Sequence, residues 1–170
     1  MKFKFYFLAL SLLLVFTASE QAMGQLQAPA ASPAASVSQN VGFTKISIDY
    51  SSPAVKGRKI FGEIEKYGTP WRAGANAPTI IEFSTAVSIG GKNLRPGKYS
   101  IFMTPQESGE WTIHFNNKAN SIFAYMPGGN LDKEALAKDE AVSIKVTPVR
   151  TNDVQERLTY GISAGNNKVA

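Results

Sequence analysis

Residues 79–105 read TIIEFSTAVSIGGKNLRPGKYSIFMTP, and their periodicity decides the fold. Ile81, Phe83, Val87 and Ile89 fall in phase at a spacing of two, the mark of a half-buried strand. Gly90-Gly91 then permits the positive φ of a tight hairpin. Arg95-Pro96-Gly97-Lys98 is a second turn, because Pro fixes φ at its first central position and Gly tolerates φ > 0 at the next. KYSIFMTP resumes the strand texture behind it.

The same texture extends in both directions. FTKISIDY (43–50) sets Ile46, Ile48 and Tyr50 against Ser47 and Asp49, and EWTIHFN (110–116) sets Trp111, Ile113 and Phe115 against Thr112 and His114. SIFAYM, AVSIKVTPV and VQERLTYGIS read as further strands. Only LDKEALAKDE (131–140) is helical in composition, with Asp132 as its cap. Short strands separated by turn signals, with no helix-length pattern between them, predict an all-β fold: a single antiparallel β-sandwich or jelly-roll-like domain over 41–165 with one short helix.

The N-terminus carries Lys2 and Lys4, an apolar run from Phe5 to Phe16, and small residues ending in Ala22-Met23-Gly24. This is the pattern of a secretory signal peptide over 1–24, and its apolar run is too short to span a bilayer. A periplasmic or secreted protein without stable membrane insertion is expected. Residues 25–40, rich in Ala, Pro and Ser, read as a flexible spacer, and 166–170 as a disordered tail. Losing Lys2, Lys4 and Glu20 would lower the net charge from +5 to +4. A mixed charge of that size argues against a nucleic-acid partner. With no Cys in the chain, the core must hold the domain without disulfides.

Catalytic signals are weak. Gly161-Ile162-Ser163-Ala164-Gly165 has the spacing of a nucleophile elbow, but five residues after it leave no room for the required helix, and the single His, His114, precedes it. One His and no Cys speak against a metal centre, so neither metal nor cofactor is expected. His114 is expected to be exposed or held by a partner. Lys56-Gly57-Arg58-Lys59 reads as a solvated turn, and the spacing of Asp49, Glu63, Glu65, Glu82 and Glu110 selects no carboxylate pair.

The segment YGTPWRAGANAP (67–78) is more informative. Pro70 and Pro78 fix φ at both ends, Gly74 permits positive φ, and Asn76 suits an Asx turn or the left-handed region. Trp71 and Arg72 therefore sit on a stiff loop. They either plug the domain and pair with a carboxylate or form a stacking and anion-binding pair. Trp71, Arg72, Asn76, Lys98 and Tyr99 are the candidate ligand-binding residues.

The run Tyr67-Gly68-x-x-Trp71-Arg72-x-Gly74-Ala75-Asn76, followed by Pro96-Gly97-Lys98-Tyr99-Ser100, resembles the domain of unknown function 2911 family, secreted proteins of Gram-negative bacteria. The resemblance spans about Lys45 to Ser163. It implies export and a mainly β domain, and it carries over no catalytic residue. Where the family has a Trp-Gly-x-Tyr pattern, this chain has Phe123-Ala124-Tyr125 and a Gly-rich break. The expected function is a non-catalytic module that binds a small molecule, a glycan or an envelope protein. The alternatives are a carboxylate-dependent hydrolase of envelope polymers or glycans, and an assembly module acting through strand edges.

Overall fold

The alternating stretches become strands in the computed structural model, which describes residues 28 to 165. The expected leader (1–24) and tail (166–170) lie outside the described residues. The fold belongs to the compact unit that begins at Ala31. Its strands are β1 (Ala34–Val41), β2 (Thr44–Ser51), β3 (Ile80–Phe83), β4 (Val87–Ile89), β5 (Lys92–Leu94), β6 (Gly97–Thr104), β7 (Trp111–Asn116) and β8 (Glu140–Val146). One helix, α1 (Lys133–Asp139), and two short 3-10 turns, Ile122–Tyr125 and Pro127–Gly129, lie between β7 and β8. Asp132 caps α1, its carboxylate accepting from the Ala135 N–H at 2.9 Å.

Six strands form one antiparallel sheet in the order β1-β2-β3-β6-β7-β8, and β4 pairs with β5 in a second, two-stranded sheet. The registers Val37↔Ile48, Ile48↔Ile81, Ile81↔Tyr99 and Ile101↔Phe115, Phe115↔Val142 carry one apolar face across the large sheet. That face is covered by Val87, Ile89 and Leu94 of the hairpin, by Phe61, Trp71 and Ala73, and by Leu158, Tyr160 and Ile162 near the C-terminus. On the opposite face Phe102 packs with Ile122, Tyr125 and Leu136, so the 117–139 segment is a lid with its own small core. This two-sheet, mostly antiparallel arrangement is the all-β class expected.

Four local readings are corrected. Residues 34–40, expected within the 25–40 spacer, belong to β1: the free edge of β2 supplies a full set of partners from Ala34↔Ser51 to Val41↔Thr44. Composition misleads here because strand formation depends on the neighbouring strand as much as on the residue. Thr79–Ile89, expected as one strand, breaks after Phe83, and its second half leaves for the small sheet. SIFAYM is a 3-10 turn, capped when the Ser121 hydroxyl accepts from the Phe123 N–H. The 154–163 segment crosses the apolar face as irregular chain, touching strand geometry only at Arg157↔Ala54.

Candidate functional site

The 67–79 segment leaves and rejoins the sheet at defined points. Trp71 exchanges two backbone hydrogen bonds with Met103 (2.7 and 2.8 Å), and the Ile101 N–H donates to the Thr79 carbonyl at 2.9 Å. The excursion between them is closed from within. The Trp71 indole Nε1 donates to the Gly74 carbonyl at 3.2 Å, and the Ala73 carbonyl accepts from the Thr79 hydroxyl at 2.9 Å and the Tyr160 hydroxyl at 2.6 Å. Burial pushes the Tyr160 phenol well above its usual range, so it stays protonated and donates. The left-handed residues are Ala73 (φ 55°) and Asn76 (φ 54°), not Gly74. Gly74 is needed for space: a Cβ there would lie 2.6 Å from the Thr79 hydroxyl. The Asn76 amide reaches outside the loop, donating to the Ser32 carbonyl at 3.0 Å.

The five candidate residues are not gathered into one site. Trp71 and Tyr99 are 7% and 6% exposed and belong to the main core, where Trp71 meets Phe61 edge-on and Tyr99 donates to the Arg95 carbonyl. Lys98 lies exposed on the opposite face, paired with Glu82 at 3.7 Å. Asn76 is exposed. Half-buried Arg72 places its guanidinium carbon 5.1 Å from the centre of the Phe123 ring, a cation–π contact that ties the loop to the lid.

Arg72 also acts on Glu65. Burial pushes the Glu65 carboxyl above the usual carboxylate range, and the nearby guanidinium pulls it part of the way back. A raised folded-state pKa means that the native state holds this proton more tightly than the unfolded chain, so the contribution of Glu65 to stability falls as pH rises through the carboxylate range. Glu65→Gln is therefore expected to raise the unfolding temperature at neutral pH and leave it nearly unchanged near pH 4. Thermal melts across that range check it, and equal effects at both pH values would refute it.

His114 has partners on both sides. Its Nδ1 lies 2.5 Å from a Glu140 oxygen and its Nε2 lies 2.9 Å from the Thr104 hydroxyl. Hydroxyl, imidazole and carboxylate stand in the order that activates a nucleophile. The chain also has a structural use: Glu140 is the C-cap residue of α1 and opens β8, so its bond to His114 on β7 ties the lid to the sheet. The Gly161–Gly165 motif lies in irregular chain and forms no elbow. In the basic run, Arg58 turns back on its own backbone, donating to the Val55 and Ala54 carbonyls, and Lys59 pairs with Glu63 at 3.6 Å.

One concavity lies between the large sheet and the β4–β5 hairpin. It is a cleft of about 1100 Å³. Its floor is Ile46, Ile48, Ile81, Phe83, Phe115 and Ile144, its other wall includes Val87, Ile89 and Ile162, and Thr44, Thr85, Ser88 and Ser163 add hydroxyls. No charged side chain among the described residues lines it. A hydrogen bond between the Thr44 and Thr85 hydroxyls and one from the Lys45 N–H to the Ser84 hydroxyl (2.8 Å) fix one end. The alternation of these residues reads as core in the sequence, since a cleft floor and a filled core share one pattern. A smaller hollow of about 650 Å³ lies among Phe61, Tyr67, Trp111, Glu107 and Arg150, where the Phe61 and Trp111 rings pack edge-on with centres 4.7 Å apart.

Neither a curated protein nor a solved structure matches the chain. A family model does match, over residues 32–170, from just ahead of β1 through both sheets and the lid. The chain belongs to the family described as "Protein of unknown function (DUF2911)".

Proposed function

We propose that this is an exported, non-catalytic binding domain of the cell envelope, and that its ligand is an apolar molecule with a single aliphatic chain, held between the large sheet and the β4–β5 hairpin. The observation that carries this reading is the cleft of about 1100 Å³, which has aliphatic and aromatic walls, a few hydroxyls and no charged lining among the described residues. Ligand sites are concave, mostly apolar and of about this size. A glycan would leave many hydroxyls without partners on such walls, and that desolvation is costly. Export is supported by the Lys-flanked apolar leader.

Each buried methylene contributes about 0.8 kcal/mol, so affinity should rise about fourfold per added carbon until the cleft is full. Displacement of a fluorescent fatty acid by saturated acids of increasing length measures this slope. Ala86→Trp, at an exposed position on the lining, should weaken binding at least about tenfold without lowering stability. Affinity independent of chain length, or unaffected by Ala86→Trp, would remove the reading. Ester-linked chains test the hydrolase alternative, whose support is the Thr104–His114–Glu140 chain. Turnover abolished by His114→Gln would replace binding with catalysis.

A further inference from the structure

The two outer strands of the large sheet are built differently. β8 carries Glu140 and Lys145 and meets β7 through a register shift at Phe115/Asn116, devices that discourage pairing with a foreign strand. β1 has none of these. Ala34–Val41, AASVSQNV, is an eight-residue strand without charge, Pro or register shift, and no strand among the described residues pairs with its outer side. It is also held in place: beyond its N-terminal end the Pro33 carbonyl accepts from the Ser52 N–H at 2.8 Å and the Ser32 carbonyl from Asn76 at 3.0 Å. An edge of this kind is a template for strand addition.

We propose that β1 pairs antiparallel with β1 of a second copy of this chain, joining two six-stranded sheets edge to edge about a two-fold axis. A foreign peptide would be selected by pockets for its alternate side chains, but Ala34–Asn40 line neither of the hollows described above. The strand is instead compatible with itself: Ala, Ser, Val, Gln and Asn set opposite one another bring no like charges together. A two-fold axis perpendicular to the sheet keeps each side chain on its own face, so one residue must lie opposite its own copy. The centres of such registers are Val37 or Ser38. With Ser38 at the centre, Phe43, 100% exposed at the β1–β2 turn, comes opposite exposed Pro33 of the second copy.

Sedimentation velocity of the purified chain between about 1 and about 300 μM, the range in which free strand edges associate, tests this. The expected result is a reversible shift from monomer to dimer. Ser36→Lys/Ser38→Lys places ammonium groups opposite one another in either register and should weaken the dimer at least about tenfold. Both positions are exposed, so its melting temperature as a monomer should match the parent chain. Asn93→Lys, an exposed charge on β5, should leave dimerisation intact. A chain that stays monomeric throughout, or a dimer that survives Ser36→Lys/Ser38→Lys, would overturn the proposal. Ligand binding in the cleft is measured separately, by the displacement assay.

Discussion

Trp71→Ala is expected to destabilise the domain by about 3–5 kcal/mol, the range for removing a buried aromatic side chain. For a domain of this size that lowers the unfolding temperature by roughly 10–20 °C. The loss has three parts. The indole is 7% exposed in the main core, so its removal opens a cavity. Its edge-on contact with Phe61, at 5.7 Å between ring centres, disappears. The Gly74 carbonyl also loses its donor, which loosens the loop holding Ala73 at positive φ. Trp71→Phe keeps an aromatic ring and loses mainly the hydrogen bond, so it should cost about 1 kcal/mol plus a small packing term. Calorimetry on the two variants separates the terms. If Trp71→Ala melts like the parent chain but loses ligand affinity, Trp71 is a binding residue and its place in the core has been misjudged.

Phe102→Ala should be of similar size, about 3–5 kcal/mol, with a more local signature. Phe102 is 0% exposed and meets Tyr125 at 6.2 Å between ring centres, with Ile122 and Leu136 completing the small core under the lid. Few other apolar contacts hold the 117–139 segment down. Its polar ties are the Tyr125 hydroxyl, whose single proton is shared between Asn116 Oδ1 (3.2 Å) and the Asp139 carboxylate (3.0 Å), and Glu140 on His114. Without the ring these bonds become more accessible to water, where each is worth about 1 kcal/mol. Amide hydrogen exchange should therefore show the lid losing protection by a larger factor than β2 or β3. Uniform loss across the whole domain would mean that lid and sheet unfold as one unit.

Much of the fold was legible because it rests on local rules. The period-2 runs around Ile46, Ile81 and Phe115 specify strands with one buried face, Gly90-Gly91 specifies a hairpin, and Asp132 specifies a helix start. Each depends on a residue's own backbone preference or on alternation along a few neighbours. The misreadings fall where partners distant in the chain decide. AASVSQNV has no strong strand signal and is a strand because β2 lies beside it. SIFAYM has the composition of a strand, yet folds as a 3-10 turn with Ile122 and Tyr125 packed on Phe102. Gly74 was read as a residue of special φ, whereas its role is clearance from Thr79, a neighbour visible only once the loop is closed.

The candidate site divides the same way. Two prolines and a run of small residues were enough to show that Trp71 and Arg72 stand on a stiff loop. The direction each one faces came from the pairing of Trp71 with Met103, which turns the indole into the core and leaves the next side chain, Arg72, over Phe123 on the lid. The cleft was beyond local reading for a related reason. Alternation records which side chains avoid water, not whether the layer above them packs against them without a gap. That fit depends on how the β4–β5 hairpin and Ile162 meet the sheet, a relation between distant segments that exists only in the assembled fold.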